Sequence, residues 1–301
     1  MQKVGVIDWI LRVVKGMFIG SGAILPGVSG GALAAVFGIY ERIITFLSNI
    51  RKDFKKNVLF FIPVGIGGVL GFFLLSHPIK YFLEVAPIQT LWCFIGCILG
   101  TVPALYREAG KKGRKRKHIL ITALTAIFAF IGLFLAKTYM DVSMPQNFGT
   151  WMMAGAIFAF GFIVPGLSPS NFLMYLHLYE PMNNGIASLD FQILLPVGIG
   201  ALLCVLLFAK LIGYLMKVAY APIFHFILGI IIASTAIIVP LPGDSPEMAA
   251  AFDTLQIGGI LLAILLCVGG VVLGLWMGRL EAKYKPVEAP AETDISSPTP
   301  Q

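Results

Sequence analysis

The chain has 301 residues, of which 58% are hydrophobic and only 12% charged, and carries a net charge of +7 with a mean hydropathy of +0.89. So few polar residues cannot coat a globule in water, which excludes a large soluble enzyme and indicates an integral membrane protein. Twenty of the twenty-two Lys and Arg fall in five short segments, a placement that membrane topology explains and nucleic-acid binding does not.

Taken in chain order, residues 1–15 carry Lys3, Asp8, Arg12 and Lys15 without the apolar run and small-residue site of a cleaved signal peptide. An apolar segment at 16–39 is broken near its middle by Pro26-Gly27. Strong spans are then expected at about 58–76, 88–106 and 119–136. A second broken segment follows at 151–178, with Pro165-Gly166 at its centre, and three more spans at 191–209, 222–239 and 257–277. Residues 286–301 are rich in Pro, Ser, Thr and acidic side chains and are expected to be a disordered cytoplasmic tail to a single membrane domain at 1–285.

Basic side chains collect on the cytoplasmic side, which places 42–56, the Lys111 to Lys117 cluster, Lys210 to Lys217 and both termini inside. The loops at 77–87, 138–150 and 240–255 then lie outside. With that orientation, 16–39 must start and end inside, and 151–178 must start and end outside. Each is therefore read as a re-entrant helical hairpin, with a kinked pair of ordinary spans as the alternative. Proline removes a donor and glycine permits a sharp turn, and such backbone is tolerated at depth only when buried in protein or lining a wet cavity.

The two hairpins are copies of each other. Gly16, Gly22, Ile24, Pro26, Gly27, Ser29, Tyr40 and Glu41 recur 139 positions later as Gly155, Gly161, Ile163, Pro165, Gly166, Ser168, Tyr179 and Glu180. A shift of 133 then superposes Pro63 to Gly67 on Pro196 to Gly200, both reading Pro-Val-Gly-Ile-Gly. Each half, about 15–138 and 151–280, holds one hairpin and three spans. An odd number of crossings turns the second half upside down, giving an all-α fold of six transmembrane helices and two re-entrant hairpins in two inverted-topology repeats, an arrangement suited to alternating access.

Ser29 and Ser168 are placed to cap helices that start just past each turn, the second with Pro169 at its first position. A helix start inside a bilayer offers free N–H groups and the positive end of a dipole, which favour a phosphate or carboxylate. Ser29, Gly30, Gly31, Ser168, Ser170 and Asn171 are the expected contacts to such a group, with Pro26, Gly27, Pro165 and Gly166 forming the turns. Glu41 and Glu180 should stand at the far ends of helices running on from the caps, near the two membrane surfaces. With Arg42, the cation adjacent to Glu41, they are candidates for gating or for coupling to protons or sodium. Cys93, Cys97, Cys204 and Cys267 lie in apolar runs without metal-ligand spacing, and the four histidines are scattered, so no metal, cofactor or catalytic set is expected.

The segment from Gly16 through Pro26-Gly27-Val28-Ser29 to Gly31, with Gly161 to Ser170 later, resembles the PopT-type polyprenyl-phosphate translocases of bacterial membranes, and the likeness extends to about Lys285. The resemblance implies a non-enzymatic carrier in the inner cell membrane. Its partner would be undecaprenyl phosphate or a related prenyl-phosphate lipid, flipped from the outer to the cytoplasmic leaflet for reuse in peptidoglycan and other envelope synthesis. A transporter or channel for a small soluble anion would use the same helix ends and is the alternative.

Overall fold

In hydrocarbon, each backbone N–H and C=O must find its partner within the protein, and a long apolar run satisfies this alone only as a helix. The computed structural model describes residues 6–22, 30–139, 142–164 and 169–284, and every regular element among them is α-helical. In chain order these are α1 (Val6–Ser21), α2 (Gly30–Val36), α3 (Tyr40–Ser48), α4 (Phe54–Val85), α5 (Pro87–Ala109), α6 (Arg116–Tyr139), α7 (Phe148–Ile163), α8 (Pro169–Tyr175), α9 (Tyr179–Ala187), α10 (Phe191–Val218), α11 (Tyr220–Ile238), α12 (Pro246–Asp253) and α13 (Ile257–Tyr284). Six of them, α4, α5, α6, α10, α11 and α13, are long and apolar enough to cross a membrane, at the places the hydropathy predicts. The turn residues Pro26, Gly27, Ser29, Pro165, Gly166 and Ser168 lie outside the described residues.

Helix ends depart from the expected boundaries where hydropathy has no say. The expected loop at 77–87 is helix as far as Val85, with Pro78 inside it. Hydropathy marks where the bilayer stops, not where the backbone stops coiling. The expected loop at 240–255 contains α12, whose start was legible in Ser245-Pro246-Glu247: the Ser245 hydroxyl accepts from Met248 N at 3.1 Å and proline occupies the first turn.

The helix expected to run from the first cap to Tyr40 is also interrupted. Gly38 adopts φ +65°, Ile39 N donates to Ala34 O at 2.9 Å, and Gly38 N donates to Ala35 O at 3.2 Å. This is the Schellman stop, in which a left-handed residue lets two amides fold back on the last turn. The same pair of bonds recurs 139 residues on, from Leu178 N to Leu173 O and from His177 N to Met174 O, with His177 at φ +53°. Glu41 and Glu180 therefore begin new helices, with Tyr40 and Tyr179, instead of ending the capped ones. Gly38→Ala puts a Cβ into the left-handed region and should cost about 1–2 kcal/mol, read as a lower melting temperature of the purified protein; Gly38→Asn should cost less.

Helix pairing rests on small residues. A Cβ on Gly67 would lie 2.0 Å from Val13 O and one on Gly71 2.1 Å from Met17 O, so α1 and α4 touch backbone to backbone. The contacts advance together along both helices, which therefore run parallel. Gly96 against Cys267 O and Gly100 against Val271 O make α5 and α13 parallel by the same logic. In α6 and α11, Thr122 Oγ donates to the His225 carbonyl at 3.1 Å and a Cβ on Gly229 would stand 2.7 Å from Thr122 O. Gly155 and Gly200 bring α7 against α10 in the same manner. Without a hydrophobic contrast between lipid and protein, close approach at small residues supplies the packing that holds such pairs.

These pairings interlock the halves, since α5 of the first packs with α13 of the second, and α6 of the first with α11 of the second. Helix α11 sits at the centre and is by far the most buried of the six spans. Its Phe224, Ile227, Leu228 and Ile231 share one core with Ile39, Tyr40 and Ile44, Leu105 and Ile163. The outer helices present Leu, Ile and Phe outward, as a lipid-facing surface requires.

Candidate functional site

The described residues on either side of the first breaker come back alongside each other. Ile19 O of α1 would be 2.8 Å from a Cβ on Gly30, and Lys15 Nζ donates to Phe37 O at 2.9 Å, so α2 returns along α1. The start of α2 also meets the end of α7. A Cβ on Gly31 would stand 2.9 Å from the carbonyl oxygens of Gly161 and Phe162, and one on Gly30 3.1 Å from the Phe162 ring. Tyr40, 2% exposed, donates its hydroxyl to Ile163 O at 2.5 Å. That bond satisfies a carbonyl at the end of a helix, where the helix itself provides no donor, and joins residues 123 apart.

Next to Tyr40, Glu41 faces a polar cluster drawn from three helices. Tyr220 at the start of α11 donates to Glu108 Oε1 of α5 at 2.7 Å and stands 3.3 Å from Glu41 Oε2 of α3. Lys111 pairs with Glu108 at 2.8 Å, and Lys112 Nζ lies 4.4 Å from the centroid of the Tyr220 ring. Arg42 turns away from Glu41: its Nε donates to Asn57 Oδ1 at 3.2 Å and its guanidinium lies 3.6 Å from the Phe60 centroid. Arg12 of α1 reaches the same ring at 4.2 Å while pairing with Asp8.

Of the sequence-predicted site residues, Gly30 and Gly31 are brought against α7, where their lack of a side chain is needed for packing whatever else they do. Ser170 is buried in the first turn of α8, and Asn171 follows it in the same helix. Glu41 and Arg42 lie on α3 but point to different partners, and Glu180 on α9 is exposed. Ser29, Ser168 and the four turn residues are outside the description. The sequence reading passes over Tyr40, Glu108, Tyr220, Arg12 and Phe60 as site residues. Tyr40 had a signal, since it recurs as Tyr179 beside the repeated glutamate. The others are joined only by tertiary contacts.

Between the N-terminal ends of α5 and α13, α12 helps line an apolar cavity of about 400 Å³ bounded by Ile88, Trp92, Phe252, Leu255 and Ile264. It has no charged lining residue, so it suits hydrocarbon and not an anion.

Six helices long and apolar enough to cross a membrane, packed around a buried core and a junction of short helix ends, define a polytopic helical membrane protein. The chain belongs to the family described as undecaprenyl phosphate translocase-like, which matches residues 19–256; it is a family of translocases, not of enzymes. It is 27% identical over 295 residues to a polyprenyl-phosphate transporter of Staphylococcus aureus, covering 91% of this chain and 98% of that one. It is likewise 27% identical over 230 residues to a polyprenyl-phosphate transporter of Vibrio cholerae, covering 70% of this chain and 71% of that one. No solved structure matches.

Proposed function

We propose that this protein carries undecaprenyl phosphate from the outer to the cytoplasmic leaflet of the bacterial inner membrane, returning the lipid carrier to cell-envelope synthesis. The observation that carries the reading is the junction itself, where α2 begins against the end of α7 and Tyr40 bonds Ile163 O, in a chain whose relatives are named polyprenyl-phosphate transporters. A phosphate crossing hydrocarbon unpaired faces a large desolvation cost, so a flippase must offer it polar groups at mid-depth while the prenyl chain stays in lipid. Helix starts at two opposed re-entrant turns meet the first need, with Ser29, Gly30, Gly31, Ser168, Ser170 and Asn171 as headgroup contacts. The apolar cavity beside Trp92 suits part of the chain.

The inverted-repeat reading is supported by equivalences that no local rule demands. The Schellman stops at Gly38 and His177, the contacts of Gly16 with Val64 and of Gly155 with Val197, and those of Gly67 with Val13 and of Gly200 with Met152 all map onto each other under the repeat. So do the pairs α5–α13 and α11–α6. In this reading both termini are cytoplasmic, and the Glu41 cluster sits at the inner surface, where a proton or sodium gradient can act on it.

The test is movement of undecaprenyl phosphate between leaflets of proteoliposomes, with and without a pH or sodium gradient. Flipping by the wild type is expected, and the Ser29→Ala/Ser168→Ala double variant should lose most of it while keeping its yield of folded protein. No flipping by correctly inserted wild-type protein overturns the lipid reading, and transport of a soluble anion in its place favours a small-anion carrier. Equal loss of folded protein in the double variant makes the two serines caps alone.

A further inference from the structure

Phe60 of α4 is approached by two guanidinium groups from two other helices, Arg12 of α1 at 4.2 Å and Arg42 of α3 at 3.6 Å from its centroid. The two cations can be no further apart than those distances together. A ring face favours a cation, but it cannot cancel the repulsion between two. Asp8 pairs with Arg12, yet the Arg12 Nε is buried with no hydrogen-bond partner. Arg42 uses only its Nε, on the neutral Asn57, so its terminal amino groups are unspent among the described residues. Burial, and after it the charge of Arg12, pulls the Arg42 guanidinium below its ordinary value, with Asp53 and Asp8 opposing. Lys15 stands one turn beyond Arg12 on α1, Arg51 and Lys52 lie just before α4, and Lys55 and Lys56 lie in its first turn.

Forked donors left over in a basic, partly buried corner match the geometry of a phosphate, which takes two guanidinium groups at once. We propose that Arg12 and Arg42, held over Phe60, form a binding site for a phosphate monoester near the starts of α1, α3 and α4, away from the first breaker. The ligand is either the headgroup of a prenyl phosphate or free inorganic phosphate. In the first case the site is the cytoplasmic seat from which the lipid leaves the carrier, which rests on the function and orientation proposed above. Asp8 then acts as a resident competitor, holding Arg12 when the seat is empty.

The experiment follows thermal stabilisation of the full-length protein in detergent on titration with farnesyl phosphate, farnesol and inorganic phosphate. Farnesyl phosphate should protect the wild type saturably, and farnesol should not. Arg12→Gln/Arg42→Gln should weaken that protection about tenfold or more, the scale of losing charged hydrogen bonds. Arg12→Lys/Arg42→Lys should keep part of it, because the charge survives and the fork does not, and Asp8→Asn should tighten it severalfold. Inorganic phosphate protecting alone and displacing farnesyl phosphate assigns a free-phosphate site; protection by farnesyl phosphate only assigns a lipid headgroup.

Undiminished protection in a monodisperse glutamine double variant, or equal protection by farnesol, overturns the proposal and leaves the arginines as packing on Phe60. The proteoliposome assay separates the two readings. Wild-type flipping with arginine-independent phosphate protection sinks this site alone, whereas arginine-dependent protection in a protein that does not flip sinks the transport reading alone.

Discussion

Gly67→Ala and Gly200→Ala are each expected to cost about 3 kcal/mol or more, while Gly65→Ala and Gly198→Ala, two residues earlier in the same Pro-Val-Gly-Ile-Gly segments, leave stability unchanged or slightly raised. A Cβ on Gly67 would sit 2.0 Å from Val13 O and one on Gly200 1.8 Å from Met152 O, whereas neither Gly65 nor Gly198 has any atom within 4 Å of the added carbon. The obstacle is backbone, which cannot rotate aside, so α1 must leave α4, and α7 must leave α10, along their whole contact. Overpacking of this kind costs about 1–3 kcal/mol even where side chains can adjust. At the open positions, alanine gains up to about 1 kcal/mol of helix propensity over glycine. Melting of the four purified variants, followed by size-exclusion chromatography after heating, checks the contrast. Equal melting across the four would mean that these helices do not touch as described.

Tyr220→Phe should destabilise the protein by about 1.5–3 kcal/mol, the range for a hydrogen bond to a charged partner. The hydroxyl has one proton and two carboxylates within reach, Glu108 at 2.7 Å and Glu41 at 3.3 Å. These residues lie on α5, α3 and α11, so the bond ties the central helix of the second half to two helices of the first. Because the proton is aimed at the nearer oxygen, the coupling of Tyr220 with Glu108 should exceed its coupling with Glu41. Double-mutant cycles combining Tyr220→Phe with Glu108→Gln and with Glu41→Gln measure both. A larger coupling to Glu41, or none to either, would show that the cluster is not arranged in this way.

Much of the scaffold was legible because a bilayer imposes one-dimensional rules. Span length and hydropathy are read along the chain, and the six helices stand where they put them. Capping chemistry was equally local, and Ser245 before Pro246 announced α12 to any reader who looked for it. The Schellman stop at Gly38 was harder, since a lone glycine between Phe37 and Ile39 in an apolar run also reads as helix, and its counterpart is a histidine. The site was less legible still. Arg12 and Arg42 looked like topogenic charges until α1 and α3 converged on Phe60, and Arg42 seemed the natural partner for its neighbour Glu41.

By itself, the sequence determined that this is a six-span helical membrane protein with two repeated, broken segments, because hydrocarbon thickness and charge asymmetry act on each segment separately. It also held the small-residue spacings of Gly16 and Gly20, Gly67 and Gly71, Gly96 and Gly100, and Gly270 and Gly274, which mark contact faces without naming the partners. Only the tertiary structure decided that α5 pairs with α13 and α6 with α11, that α11 becomes the buried centre, and that Tyr220 reaches Glu108 and Glu41 across 112 and 179 residues. The physical reason is that lipid is as apolar as a helix face. Hydropathy cannot distinguish a surface that meets lipid from one that meets protein, and the choice falls to shape, close backbone approach and the few polar groups that must find each other.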